Sequence, residues 1–143
     1  LYQYITIYNT LKTLEIKGNA DIKKGSTATF ELINNSLTPI TIFAPWQKRI
    51  EKFENNSWRK VRIISCPCGA NCDAPSQTVV LKPSEKQILD WNLMEGWCDK
   101  KQENGTPKTI ENISDEGLYR ISVDYSIDGT NRLTITKEFR IFN

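Results

Sequence analysis

The sequence predicts an all-β fold of about nine short strands. Apolar and polar residues alternate with period two through most of its 143 residues, which is typical of strands that bury one face. Turn-forming residues interrupt the alternation at short intervals, and we find no amphipathic helix. These features predict a sandwich or a barrel, and we expect residues 1–143 to form a single domain of this kind.

The predicted strands follow one another along the chain, each ending at a turn. The pattern places them at residues 2–8, 14–17, 28–33, 40–43, 50–54, 58–64, 78–81 and 87–93, and in a final hairpin after residue 117. Asn55 and Asn56 tolerate the left-handed backbone of a tight turn, so the fifth and sixth strands form a hairpin. Asp128-Gly129 turns the final hairpin, whose buried face holds Tyr119, Ile121, Val123, Tyr125, Leu133, Ile135, Phe139 and Ile141.

Two segments lack the alternation, and we predict them to be loops. Residues 65–76 hold three cysteines, two prolines and a glycine, and form a cysteine-bearing insertion. Residues 94–116 are mostly polar or turn-forming. A loop of that length in a compact domain is commonly functional.

One local motif favours the sandwich. Residues 115–119 read D-x-G-x-Y, a spacing that resembles the tyrosine corner of immunoglobulin-like domains, in which the tyrosine hydroxyl bonds to the upstream backbone. We therefore predict an immunoglobulin-like β-sandwich with Tyr119 in that role. The position two residues later is Ile121, so the inter-sheet disulfide of antibody domains is missing and the cysteines have another role.

Three further stretches resemble bacterial extracytoplasmic immunoglobulin-like domains. They are residues 30–35, residues 81–85 leading to Trp91, and residues 117–120. The group includes the BsuPI-type family, which is related to the Bacillus intracellular proteinase inhibitor. The resemblance implies the sandwich fold and raises inhibition as an expected activity; the cysteine loop is an addition to that family's pattern.

The four cysteines are Cys66, Cys68, Cys72 and Cys98. In an exported domain an even number predicts two disulfides. A bridge between Cys66 and Cys68 would close a strained ring, so we expect Cys98 to pair with one of these two and Cys72 with the other. The alternative is a four-thiolate zinc or copper site. The spacing differs from the paired C-x2-4-C of structural zinc sites, so we expect no metal and no cofactor.

Several functional classes are disfavoured by composition. The chain has no histidine, which excludes Ser-His-Asp and Cys-His catalysis and imidazole metal ligands. No carboxylate pair stands out, and we expect no enzyme. The net charge of +2 is scattered along the chain, whereas nucleic-acid binders concentrate basic residues. No apolar stretch approaches the roughly 20 residues of a membrane span.

The chain begins at Leu1, and its only methionine is Met94. A cleaved signal peptide or a shortened expressed chain accounts for this, and we favour the signal peptide. We expect a secreted or periplasmic protein. A lipid anchor upstream of Leu1, as in a lipoprotein, is compatible with the same expectation.

A basic hairpin and the tryptophans are the candidate binding features. Residues 48–62 carry a net charge of +4, which either protects a sheet edge from pairing or docks an acidic protein partner. Val61 and Ile63 take the inward face, while Trp91 belongs in the core and Trp46 could lie in either place. The predicted binding residues are Trp58, Lys60, Arg62 and Trp97. We therefore expect a protein-binding module using disulfide-joined loops; a thiolate metal carrier or sensor and a structural module of a surface assembly are the alternatives.

Overall fold

The computed structural model describes residues 13–45, 47–73, 77–101 and 105–143. All regular elements in these ranges are β-strands, which confirms the predicted all-β class. The strand predicted at residues 2–8, and Trp46, lie outside the described residues. The strands are β1 Leu14–Lys17, β2 Asp21–Lys23, β3 Ala28–Asn34, β4 Ile40–Phe43, β5 Arg49–Glu54, β6 Ser57–Lys60, β7 Thr78–Leu81, β8 Lys86–Trp91, β9 Met94–Lys101, β10 Pro107–Ile113, β11 Gly117–Ser126 and β12 Leu133–Phe142.

Two sheets pack face to face as a sandwich. The small sheet has the strand order β1-β3-β8, and the large sheet has the order β2-β12-β11-β4-β7, with β5 also paired to β11 and β6 to β5. Aromatic rings join the sheets, since Phe30 of β3 lies 5.1 Å from Phe139 of β12 and Trp91 of β8 lies 5.7 Å from Tyr119 of β11. Trp91 is 1% exposed, which confirms its prediction as a core residue.

The chain crosses from one sheet to the other near its first two strands. β1 pairs antiparallel with β3 in the small sheet, and β2 pairs parallel with β12 in the large one. Gly18 lies at the crossing, where a Cβ atom would come within 2.5 Å of Cδ1 of the fully buried Phe30. Only glycine lets the backbone pass this close to the core.

Two local predictions, the tyrosine corner and the Asn55-Asn56 turn, are confirmed. The Tyr119 hydroxyl donates a hydrogen bond of 2.6 Å to the carbonyl oxygen of Asp115, as in a tyrosine corner. Asn55 and Asn56 have φ values of 50° and 63°, and Glu54 pairs with Ser57 across them. Positive φ at both central residues is what a type I′ hairpin turn requires.

The prediction of one long loop over residues 94–116 is wrong, because β9 and β10 form a hairpin there. These strands pair with each other and contribute nothing to the core cluster. Without a buried face they need no period-two apolar alternation, which is the signal that identified the other strands.

Smaller errors concern strand number and strand ends. The described residues contain twelve strands instead of about nine, since the three-residue β2 was not foreseen and β9 and β10 were taken for a loop. β6 ends at Lys60, before the predicted residue 64. Leu133 is 43% exposed, because β12 begins at the rim of the sandwich and becomes buried only towards Phe139.

Candidate functional site

Two disulfides join the cysteine loop to itself and to the β9–β10 hairpin. Cys66 pairs with Cys72, with their Cα atoms 6.2 Å apart, and Cys68 pairs with Cys98, with their Cα atoms 5.7 Å apart. This is one of the two pairings that the sequence left open. All four sulfurs are therefore in disulfides, and none is a thiolate that a metal could bind.

We call residues 65–73 together with β9 and β10 the appendage. None of its described residues belongs to the hydrophobic core cluster. Hairpin pairing and the two disulfides hold it together instead of burial. The two cross-links thus fix an element that adds nothing to the core.

The appendage contacts the chain just after β6, while β9 and β10 form a two-stranded sheet of their own. The Gly96 amide donates a hydrogen bond of 2.8 Å to the Arg62 carbonyl oxygen. A Cβ atom on Gly96 would lie 3.1 Å from both the Ile64 side chain and the Ile110 carbonyl oxygen. Gly96 thus lets β9 approach the residues after β6 closely enough for this hydrogen bond.

Glu95 is the ionic centre of this junction. Its carboxylate accepts hydrogen bonds of 2.7 Å from the Arg59 guanidinium and 3.1 Å from the Arg62 amide. Burial opposes ionisation, but these bonds and the positive charge of both arginines outweigh it and hold the pKa of Glu95 below its ordinary value. The Arg59 guanidinium also bonds Glu54, and the two carboxylates raise its pKa. The junction is therefore locked by charge-assisted hydrogen bonds.

We call the four predicted binding residues the outer row. Trp58 and Lys60 lie on β6, Arg62 follows it, and Trp97 lies on β9. Val61 is 2% exposed and Ile63 packs against the core, so Trp58, Lys60 and Arg62 alternate to the outside, as predicted. The Arg62 guanidinium lies 4.1 Å above the ring of Trp97. That cation–π contact joins the end of the row to the appendage.

Trp58 is half-buried among neighbours on the same face. Its ring centroid is 5.2 Å from that of Phe53, its cross-strand partner. The Arg120 guanidinium lies 4.2 Å from the ring and bonds Glu51 at 2.9 Å. Sequence reasoning missed Arg120 and Glu95, because they come to the row from strands distant in the chain, and it missed Phe53, the cross-strand partner of Trp58 in the same hairpin.

The basic charge of the hairpin is largely compensated. Arg59 pairs with Glu54 and Glu95, and Arg49 pairs at 2.6 Å with Asp124 of β11. Within the described ranges, no carboxylate lies within 4.0 Å of the Lys60 ammonium, which makes Lys60 the least compensated cation of the outer row.

The fold and the appendage together define the class as a disulfide-bonded β-sandwich protein. Across the described part of the chain, no three histidine, cysteine or acidic residues cluster as metal ligands do, and no helix is long and apolar enough to cross a membrane. No protein-family model matches the sequence, and a search of curated proteins finds no match.

Proposed function

We propose that the protein is an exported, non-catalytic protein-binding module whose contact surface is the outer row and the adjoining appendage. The observation that carries this proposal is the fixation of a core-free hairpin by the Cys68–Cys98 disulfide and by the Glu95 junction. A surface held in one conformation before binding loses little conformational entropy when a partner docks. Inhibition of a partner enzyme, the activity implied by the resemblance to BsuPI-type domains, is one form that such binding takes.

The chemistry of the outer row supports a protein partner. Tryptophan and arginine are the residue types enriched at the energetic centres of protein interfaces. Arg62 lies over Trp97 and Arg120 lies over Trp58, so both residue types are found at the outer row. Lys60 lies between them along β6, with an ammonium free of carboxylates in the described structure, and favours an acidic residue on the partner.

The two disulfides are typical of an oxidising, extracytoplasmic compartment. Our proposal places the module there as a secreted or periplasmic protein, either free or carried by a lipid anchor. Its partner is then a protein that meets it outside the cytoplasm.

Site-specific photo-crosslinking tests the surface. A photoreactive phenylalanine analogue replaces Lys60 of the outer row, Thr109 of the appendage, or Ile88, which is 48% exposed on the opposite sheet. Each protein is irradiated in the extracytoplasmic fraction of its source cells. We expect the first two positions to yield an adduct with the same protein and Ile88 to yield none.

The purified partner then provides the quantitative test. Cys68→Ser combined with Cys98→Ser, and separately Lys60→Glu, should each weaken its binding at least tenfold. Lys86→Glu, the same charge change on the small sheet, should leave binding unchanged. The proposal would be overturned if position 88 gave the same adduct, if Lys86→Glu weakened binding as much as Lys60→Glu, or if no adduct formed at all.

A further inference from the structure

The large sheet contains a break where β4 gives way to β5. Both strands pair with β11, Phe43 opposite Asp124 and Arg49 opposite Ser122. Phe43 and Arg49 are six positions apart in the chain, but their partners on β11 are separated by Val123 alone. The two strands therefore cannot form one continuous strand in the sheet, and a gap separates them.

A small cavity lies in this gap and extends to buried residues of the core. Its volume is about 40 Å³, and its apolar lining includes Ile121 and Val123 of β11 and Leu89 of the opposite sheet. Phe43 and Pro45 also line it. One water-sized sphere occupies about 10 to 15 Å³, so the cavity admits a group of about three heavy atoms. An isopropyl group is of this size.

The rim of the cavity is cationic. Its lining includes Lys48, Arg49 and Arg132 and one carboxylate, that of Asp124. That carboxylate accepts hydrogen bonds from Arg49 at 2.6 Å, from Arg132 at 3.0 Å and from the Thr134 hydroxyl at 2.7 Å. Three cations against one anion leave the rim with an excess of positive charge.

The two guanidiniums are also held in place. Asp124 binds both, and Arg132 lies 4.4 Å above the ring of Phe43. Each guanidinium uses one N–H towards Asp124 in the described structure and keeps its other donors. Positioned donors beside an apolar cavity suit a ligand with a carboxylate next to a short branched chain.

We propose that this cavity binds an aliphatic carboxylate, with a branched group of about three carbons in the cavity and the carboxylate on the rim formed by Lys48, Arg49 and Arg132. A free short-chain acid and the C-terminal valine of a peptide share this chemistry. The cavity involves no residue of the outer row or of the appendage. Its test is therefore independent of the protein-binding proposal.

The test is an NMR titration of the ¹⁵N-labelled protein with sodium isovalerate. We expect saturable shifts of the Arg49, Val123 and Asp124 amides, with a dissociation constant in the millimolar range that so small a ligand allows, roughly 1 to 10 mM. Isovaleramide has the same shape without the charge and should bind at least tenfold more weakly. Equal shifts with the amide, or no saturable shift with the acid, would overturn the proposal.

Two variants locate the site, and two peptides identify the source of the ligand. Lys48→Glu should weaken isovalerate binding at least fivefold, whereas Lys86→Glu on the small sheet should not change it; equal loss with both would show general electrostatics and contradict the site. The tripeptide Gly-Gly-Val is compared with its C-terminal amide. If the tripeptide binds as tightly as isovalerate, the site takes a chain end; if only isovalerate binds, it takes a free acid.

Discussion

The Tyr119 hydroxyl bonds the carbonyl oxygen of Asp115 across 2.6 Å, so the segment before β11 is attached to a ring that is 1% exposed. Removing the hydroxyl with Tyr119→Phe leaves the ring packing intact but removes this bond. We expect a loss of about 1 kcal/mol in the free energy of unfolding, measured by urea denaturation. A change below about 0.3 kcal/mol would show that the bond adds nothing to stability.

The same tyrosine makes stability depend on alkaline pH. Burial raises the pKa of Tyr119 to about 12, from an ordinary value of 10.0. The unfolded chain therefore releases this proton at lower pH than the folded one, and stability is lost as the pH rises from 10 towards 12. Unfolding curves at several pH values should show a steeper fall for the wild type than for Tyr119→Phe. Parallel curves would contradict this assignment.

The strands that bury one face could be read from the sequence because burial imposes a period of two. β1, β4 and β7 begin and end at the predicted residues. The β9–β10 hairpin could not be read in this way, since disulfides and pairing hold it in place of burial. Alternation detects contact with a core, and an element without such contact gives no signal.

The candidate site was predictable only in part. Alternation against Val61 placed Trp58, Lys60 and Arg62 on one face, and the structure agrees. The stacking of Arg62 on Trp97 depends on β9 lying beside the residues that follow β6, a long-range contact that no local pattern encodes.

Glu95 is expected to govern the attachment of the appendage. Glu95→Gln removes the charge but keeps an acceptor, so the fold should remain while the junction weakens by about 1 to 2 kcal/mol. Hydrogen exchange should then become faster at Gly96 and along β10, with the rates in β11 unchanged. Equal acceleration in β11 would mean that the junction stabilises the whole domain.

The difference in hydrogen exchange between the wild type and Glu95→Gln should depend on pH, because the pKa of Glu95 is lowered. The stabilisation is present above the ordinary pKa of 4.5 and is lost as the pH falls through the lower pKa of the folded protein. The exchange rates of the wild type and the variant should therefore converge in acid. A difference that persists at the lowest pH would show that the charge of Glu95 is not its cause.

Substitution of Asn34 should lower the free energy of unfolding more than substitution of most other polar residues. It is fully buried, and its amide nitrogen donates hydrogen bonds to the carbonyl oxygens of Thr38 and Leu81. Its side-chain oxygen accepts hydrogen bonds from the amide and hydroxyl of Ser36. Asn34→Ala leaves these partners unsatisfied and should cost about 2 to 4 kcal/mol. The exposed Asn35→Ala is the matched control, with a change expected within about 0.5 kcal/mol; similar losses for both would refute the assignment.

The two disulfides should differ in their contribution to stability. Cys68 and Cys98 are 30 residues apart in sequence, whereas Cys66 and Cys72 are 6 apart. Loop entropy assigns about 3.6 kcal/mol to the longer closure and about 2.3 kcal/mol to the shorter. Replacing the cysteines of each pair by serine, followed by urea unfolding, measures the two values. The longer closure spans β7 and β8 of the core, so its loss should lower global stability as well as release the appendage. If removing it costs no more free energy of unfolding than removing the short closure, the entropic account is wrong.

Reductant and chelator distinguish disulfides from the thiolate alternative in the wild-type protein. A sulfur in a disulfide has no thiolate to donate to a metal, so a chelator should leave the melting temperature unchanged. A reductant should lower it by more than about 10 °C, because the two loop closures together account for about 6 kcal/mol. The doubly serine-substituted Cys68 and Cys98 variant should respond less to reductant, since only the short closure remains to be broken. Melting that responds to chelator but not to reductant would mean that the four sulfurs hold a metal.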